Sequence, residues 1–397
     1  MKKQVVALAL CLGLLAQPFG VTAVHGQEIR PAGPSDFDIP CKAAILVEED
    51  TGTALYEKNA DERRPIASIT KVMTLLLAFE ALESGKVRLT DAVPVSEHAY
   101  GMGGSQIWLE PGEQLTLNDM FKAICISSAN DAAVAVAELI GGSEPAFVEQ
   151  MNRKAAALGM KNTHFENACG LDSAGHLSSA RDVAIMSREM LLHHPEVENY
   201  CTVWMDSLRG GQTQLINTNK LLKSYSGITG LKTGTTGGAG VCISASASRG
   251  GLRLIAVVLG AASGKERFQA AAALLDYGFA NYENAEVSLP ENPPQTLPVT
   301  GGMAAAVALQ YAAPQKYLTA KGQGGGLKAV LDLPQSLAAP VAAGQAVGSV
   351  QIFDGQSRVA AYPVAAAEEI PARSFAICFR RLAAALLARP LDFVQNG

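Results

Sequence analysis

From Ala67 to Phe79 the chain is apolar on almost every face of a 3.6-residue period, broken only by Ser68, Thr70, Lys71 and Thr74. A helix without a polar face is one that the rest of the fold surrounds. Pro65 ahead of it and Gly85 after Leu82, its last periodic residue, mark its ends. Upstream, 43–47 and 53–57 flank Asp50-Thr51-Gly52 and read as two strands joined by a turn. From 90 to about 200 the pattern turns helical. Thr116 with Asp119 makes a capping box ahead of 120–126, and 131–140 ends in Gly141-Gly142. Ser143 and Pro145 open a helix closed by Gly159, and Ser179 with Asp182 opens one that stops before Pro195. Strand signals return at 240–247 and 253–259, joined by Arg249-Gly250-Gly251, with a helix over 265–277. Strands at both ends of a helical middle predict a single α/β (α+β) domain, residues 37–282: one sheet with packed helices and a helical insertion.

Past Tyr282 the pattern changes. Pro290, Pro293, Pro294 and Pro298 mark 283–298 as a linker. Short strands at 327–333, 347–353 and 358–364, separated by Gly, Pro and Asp354-Gly355, predict a small all-β domain over 299–370. In the last segment, 371–397, Phe375, Phe379, Leu382 and Leu386 recur at i, i+4, i+7 and i+11. Arg373, Arg380, Arg381 and Arg389 supply charge, and no acid occurs between Pro371 and Pro390. That is the pattern of a basic amphipathic helix lying on a membrane surface; the alternative is a helix packed on its own β domain. Arg380-Arg381 interrupts the apolar run, so the tail does not read as a span.

The N-terminus bears on where the chain works. Met1-Lys2-Lys3, an apolar run from Val5 to Leu15, Pro18, and the small residues Val21-Thr22-Ala23 and Gly26 show the three regions of a secretory signal peptide, assigned to 1–26. The expected location is therefore extracytoplasmic. With 397 residues, 48% hydrophobic and 17% charged, the chain has material for two ordinary cores. Its net charge of −5 becomes −7 once Lys2 and Lys3 leave with the leader, which argues against nucleic acid as a partner. Cys41, Cys125, Cys169, Cys201, Cys242 and Cys378 have neither C-x-x-C spacing nor a histidine partner and read mostly as small buried hydrophobes. No metal and no cofactor is called for. Gly324-Gly325-Gly326 precedes a strand, so it is not a phosphate loop.

Ser68 and Lys71 stand three apart and share one face of the first turn of the buried helix. A hydroxyl beside a desolvated amine makes a nucleophile with its base, because burial favours the neutral amine. Taken alone, the pair reads more readily as an N-cap with a snorkelling lysine, so companions decide. Two exist: Ser128-Ala129-Asn130, in a loop between two helices of the insertion, and Lys232-Thr233-Gly234, just ahead of the strand at Gly240. In this order the three motifs resemble the low-molecular-mass penicillin-binding proteins that are serine-type D-alanyl-D-alanine carboxypeptidases. The likeness takes in Arg63-Arg64-Pro65-Ile66-Ala67, Ser179-Ala180-Arg181-Asp182, Asn217-Thr218-Asn219 with Leu221-Leu222, and Gly230 to Thr235 with Ala239-Gly240. Ala339-Pro340-Val341 and Gly344-Gln345-Ala346-Val347-Gly348 extend it into the β-rich end, so it runs from about Phe37 to Val394.

The resemblance implies a penicillin-binding/β-lactamase-like transpeptidase domain with an antiparallel sheet. It implies that Ser68 attacks the penultimate D-alanine of a peptidoglycan stem peptide ending in D-Ala-D-Ala, that Lys71 is its base, and that Lys232 is the second cation favouring neutral Lys71. Asn130 holds the substrate amide and the Lys71 side chain, and Ser128 relays a proton to the leaving group. Lys232, Thr233, Gly234 and Thr235 line the substrate, with the N–H groups of Ser68 and Thr235 as the oxyanion hole. Arg267 has two readings side by side, a partner for the substrate carboxylate and a solvated helix residue. β-Lactam antibiotics are the implied inhibitors. A class A β-lactamase shares the three motifs but needs an E-x-x-L-N stretch between the second and third, which does not occur here. A catalytically silent, penicillin-sensing or wall-binding protein is the other alternative.

Overall fold

The computed structural model describes residues 38–380 apart from 288, 313–315 and 377, together with 383. The expected signal peptide over 1–26, and Arg381, Leu382, Leu386 and Arg389 of the tail, lie outside the described residues. Among those described, 38–286 with 316–326 form one compact unit, and 287–312 with 327–380 form a second.

The first unit is built on a five-stranded antiparallel sheet. Its strands are β1 (Ala43–Glu48), β2 (Ala54–Lys58), β3 (Ile228–Thr236), β4 (Gly240–Arg249) and β5 (Leu252–Ala261), in the spatial order β2-β1-β5-β4-β3. The N- and C-terminal parts of the unit thus meet at the β1–β5 pair, where Ile45 faces Val257. Every residue of β1 is buried, and the period of two divides it between two cores. Ile45 and Val47, with Ile255, Val257 and Leu259 of β5, belong to one core; Ala44 and Leu46, with Leu254, Ala256 and Val258, belong to the other.

Helix α5 (Gly264–Asn281) completes the second core with Ala270, Ala271, Leu274 and Leu275. The first core receives α1 (Lys71–Glu83) and the insertion, whose longer helices are α2 (Asn130–Gly141), α3 (Glu144–Ala157) and α4 (Ala180–His193). Val72, Leu75, Leu76 and Phe79 of α1 are all buried. At roughly 1.5–3 kcal/mol for each large side chain taken out of water, they hold the helix in place against the cost of the lysine beside them. The expected caps form: Thr116 and Asp119 make both bonds of a capping box, and Ser143 and Ser179 accept from the third N–H of their helices.

Two boundaries differ from the sequence reading. Lys232-Thr233-Gly234 stands ahead of the strand at Gly240, as expected, but is not in a turn: it lies within a further strand, β3, at the edge of the sheet beside β4. Tyr282–Glu286, which falls at the start of the expected linker, is a strand paired with Lys316–Ala320 inside the first unit. That pairing is non-local and has no hairpin turn to announce it, while the prolines that suggested a linker cluster on its C-terminal side.

The second unit holds a six-stranded sheet. Its order is Leu327–Asp332, Ala346–Asp354, Ser357–Ala366, Ala306–Tyr311, Thr296–Thr300 and Leu337–Ala338. Val299, Val307, Val347, Val350, Val364 and Ile370 form its own core. Phe375 and Phe379 stack at 5.9 Å between ring centroids and are exposed. Among the described residues, no helix is long and apolar enough to cross a membrane.

Candidate active site

Ser68 lies in a single 3₁₀ turn, Ala67–Thr70, that runs into α1 at Lys71. Neither helix start carries a side-chain cap, so Ser68 is not the N-cap that the sequence alone allowed. Its hydroxyl faces the amine instead: Lys71 Nζ and Ser68 Oγ are 2.9 Å apart. The turn is entered through Ala67 at φ +48°, a left-handed conformation that L-residues with a Cβ avoid. Such strain persists only where the surroundings enforce it.

Those surroundings are two glycines. A Cβ on Gly170, itself at φ +87°, would collide with Ala67 O. A Cβ on Gly234 would stand 2.8 Å from Ile66 O and 3.0 Å from Ser68 N. The glycine of the third motif is therefore required because β3 touches the backbone of the nucleophile turn.

Lys71 is fully buried. Its Nζ has three partners: Ser68 Oγ at 2.9 Å, Asn130 Oδ1 at 2.6 Å and the Cys169 carbonyl at 2.8 Å. The last two only accept. A neutral amine satisfies all three, giving its two N–H groups to Asn130 and Cys169 and turning its lone pair to the Ser68 hydroxyl. Burial pushes the Lys71 pKa down to about 8, against a smaller opposing pull from Cys169 and Asp131.

Ser128 sits at φ +64° at the end of the π-turn Ala123–Ser127, and Asn130 opens α2. Asn130 Nδ2 donates to Gly103 O at 2.6 Å, which sets the amide so that Oδ1 faces Lys71. Lys232, buried on β3, donates to Ser128 Oγ at 2.8 Å and to Thr233 O at 3.0 Å. Burial, then repulsion from Lys71, brings its pKa down to about 7. The sequence reading expects burial and Lys232, as a second cation, to favour neutral Lys71 together. Here desolvation is the larger cause for both amines, and the repulsion between them adds to it.

Thr233 Oγ1 donates to Thr218 Oγ1 at 2.7 Å, and Thr235 is exposed beside it. Arg267, in the first turn of α5, is buried rather than solvated. Its Nη1 lies 3.2 Å from Gly234 O, 3.3 Å from Thr235 Oγ1 and 3.2 Å from Cys242 O, while its buried Nε has no hydrogen-bond partner among the described residues. Burial draws its pKa down to about 10.

The loop 166–176 was not singled out from sequence, because it contributes backbone and a supporting imidazole. The Cys169 carbonyl holds Lys71, and Ala168 O accepts from Thr74 Oγ1 at 2.6 Å. His176 Nδ1 accepts from Glu166 N–H at 3.1 Å, so Nε2–H donates to Thr70 Oγ1 at 2.7 Å. The imidazole is held neutral by burial, its pKa down at about 4. The available signal was Asn167 with Gly170: Asn167 Oδ1 accepts from Gly170 N at 2.7 Å and Leu171 N at 3.1 Å, a side-chain-built turn.

A family model described as D-alanyl-D-alanine carboxypeptidase matches residues 29–263, and one described as the C-terminal domain of penicillin-binding protein 5 matches 282–372. The D-alanyl-D-alanine carboxypeptidase DacF of Bacillus subtilis (strain 168) is 41% identical over 94% of this chain and 96% of its own. Penicillin binding protein 5 from Haemophilus influenzae matches as a solved structure with a TM-score of 0.76 at 31% identity, over 85% of this chain and 100% of that one. Penicillin-Binding Protein D2 from Listeria monocytogenes, in its cefotaxime-bound form, matches with a TM-score of 0.58 at 33% identity, over 62% of this chain and 100% of its own.

Proposed function

We propose, on the premise that the chain belongs to the D-alanyl-D-alanine carboxypeptidase family of penicillin-binding proteins, that it cleaves the terminal D-alanine from peptidoglycan stem peptides through an acyl-enzyme on Ser68. The observation that carries this assignment of residues is the environment of Lys71 Nζ, with two obligate acceptors and one hydroxyl. Neutral Lys71 takes the Ser68 proton as Oγ attacks the carbonyl carbon of the penultimate residue. The N–H groups of Ser68 and Thr235 receive the oxygen of the tetrahedral intermediate. Collapse breaks the C–N bond; Ser128 Oγ, bonded to Lys232, gives its proton to the departing amine and receives in its place the proton that Lys71 took from Ser68, which leaves Lys71 neutral again. Water then attacks the ester, with Lys71 again the base.

The leaving residue carries a free carboxylate. Thr233 and Thr235 offer hydroxyls to it, and Arg267, bonded to Thr235 Oγ1, supplies the positive charge at that end of β3. A β-lactam presents its amide to the same serine, and the cefotaxime-bound relative supports extending that ligand class to this chain. The reading also takes the enzyme to be exported through 1–26 and held at the outer face of the cytoplasmic membrane by the tail beginning at Pro371.

The test is incubation of the purified mature protein with a labelled penicillin and, separately, with an acylated D-Ala-D-Ala peptide. Label on the peptide containing Ser68, together with release of D-alanine, is the expected result. Full labelling of Ser68→Ala defeats the assignment.

A further inference from the structure

Trp108 is 74% exposed, although the residues on either side of it, Ile107 and Leu109, are buried to 2% and 0%. Its φ is +53°, an outlier for so bulky a residue. The backbone is clamped there from two directions. The buried carboxylate of Asp131 accepts from Ile107 N–H at 3.1 Å and Leu109 N–H at 3.1 Å. Arg209 donates to Ile107 O at 2.9 Å and Trp108 O at 3.2 Å, and is itself gripped by Glu113, whose Oε2 lies 2.7 Å from Arg209 Nη2. Strain, two buried anchors and a charged clamp thus hold a large apolar ring out in water. Stability alone favours the opposite arrangement.

The same loop reaches the catalytic groups directly. Gly103 O accepts from Asn130 Nδ2, and Ser105 O accepts from Asn130 N–H at 2.7 Å. Trp108 therefore stands on the wall that carries Asn130, whereas the carboxylate of the leaving residue is assigned to Thr235 and Arg267. On that assignment the acyl-donor part of the substrate, which bears the glycan strand, extends from Ser68 away from Arg267 and toward Asn130, which the same reading gives to the substrate amide.

We propose that the Trp108 indole is a saccharide-stacking subsite for the glycan chain bearing the stem peptide, a proposal that rests on the carboxypeptidase reading above. An isolated aromatic plane offers one flat apolar face and no surrounding pocket. An alkyl side chain gains little from such a face. A pyranose ring matches it, because one side of the ring presents C–H groups while the hydroxyls and amide around its rim stay solvated or meet polar neighbours. Ser105, Gln106 and Glu110, on the same loop, bring a hydroxyl, an amide and a carboxylate within three residues of Trp108 in the chain. Rigidity matters here, since a ring already fixed loses little freedom on binding.

The chain has two tryptophans, so Trp204→Phe leaves Trp108 as the only indole reporter. Titration of that protein with a peptide-free N-acetylglucosamine tetramer is expected to shift and saturate the indole emission. Trp108→Asn removes the ring with a residue that tolerates positive φ. Its kcat/KM on a disaccharide-linked pentapeptide is expected to fall about tenfold, with a change below about twofold on a short acylated D-Ala-D-Ala peptide. Trp108→Tyr, which keeps an aromatic face, is expected to retain most of the difference between the two substrates. Equal changes on both substrates, no change on either, or a flat titration overturns the proposal. If the unmodified enzyme turns over neither substrate, the carboxypeptidase reading fails, while the titration still reports on the subsite.

Discussion

Lys71 Nζ and Ser68 Oγ stand 2.9 Å apart, and the other two partners of that nitrogen are oxygens without a proton to give. The amine lone pair is thus aimed at the hydroxyl whenever Lys71 is neutral. With its pKa lowered to about 8 by burial, the neutral fraction grows as pH rises and is nearly complete one unit above that value. The rate of penicillin acylation is expected to climb about tenfold per pH unit well below 8 and to level off above it. Because Lys232 is pushed down in the same buried site, the observed limb belongs to the pair. Lys71→Arg keeps its charge at every working pH and is expected to lose at least ~99% of the acylation rate. Stopped-flow acylation across the pH range checks both. A wild-type profile flat from pH ~6 to ~9 removes Lys71 as the base.

Gly234→Ala tests the packing of β3 on the nucleophile turn. The added carbon would lie 2.8 Å from Ile66 O and 3.0 Å from Ser68 N, both backbone, so no side chain can swing aside. Relief requires the strand or the turn to move. A displacement near 1 Å at Ser68 is expected to cut acylation about 100-fold. The strand is at the edge of the sheet, so the melting temperature is expected to fall only by a few degrees, on the order of 1 kcal/mol. Acylation within tenfold of wild type would show that the turn yields without consequence.

What the sequence could and could not reveal divides along chemistry carried by side chains and chemistry carried by backbone. Ser68, Lys71, Ser128, Asn130 and Lys232 were legible because their spacing survives in one dimension, and the fold brings their polar atoms within 2.6–2.9 Å of one another in two linked groups. The Cys169 carbonyl was not, since any residue type supplies a carbonyl and only the path of the loop aims it. β3 was hidden by its own fitness for the site. Gly227, Gly230 and Gly234 look like turn residues, yet Gly234 is small so that a strand can lie against Ser68. Arg267 stayed ambiguous because a charged residue in a first turn is usually solvated, and nothing local reveals that α5 begins beneath β3.

Arg267→Gln separates recognition of the substrate carboxylate from bracing of β3. Glutamine keeps a donor near Gly234 O and Thr235 Oγ1 but removes the charge. On a peptide ending in free D-Ala-D-Ala, kcat/KM is expected to fall about 100-fold, or ~2.7 kcal/mol of transition-state binding. On the same peptide with an amidated C-terminus, the variant and the wild type are expected to agree within about threefold. Parallel losses on the two peptides would make Arg267 a brace for the strand and leave the carboxylate without this partner.

The tail makes the remaining prediction. Phe375 and Phe379 are exposed and stacked, and Arg373 and Arg380 lie on the same short segment with no acid beside them. Apolar rings that contribute nothing to a core, next to unopposed arginines, suit an interface where hydrocarbon and anionic headgroups meet. Two contributions then add: burial of the rings, insensitive to salt, and attraction of about 1 kcal/mol per arginine near an anionic surface, which falls off within a Debye length of roughly 10 Å at 0.1 M salt. The mature protein is expected to float with anionic liposomes at low salt and to float less as salt rises. Neutral liposomes should retain only a minor fraction, and a version ending at Ile370 should remain in the aqueous phase throughout. Equal partitioning of the two versions at low salt rules out the tail as a membrane anchor.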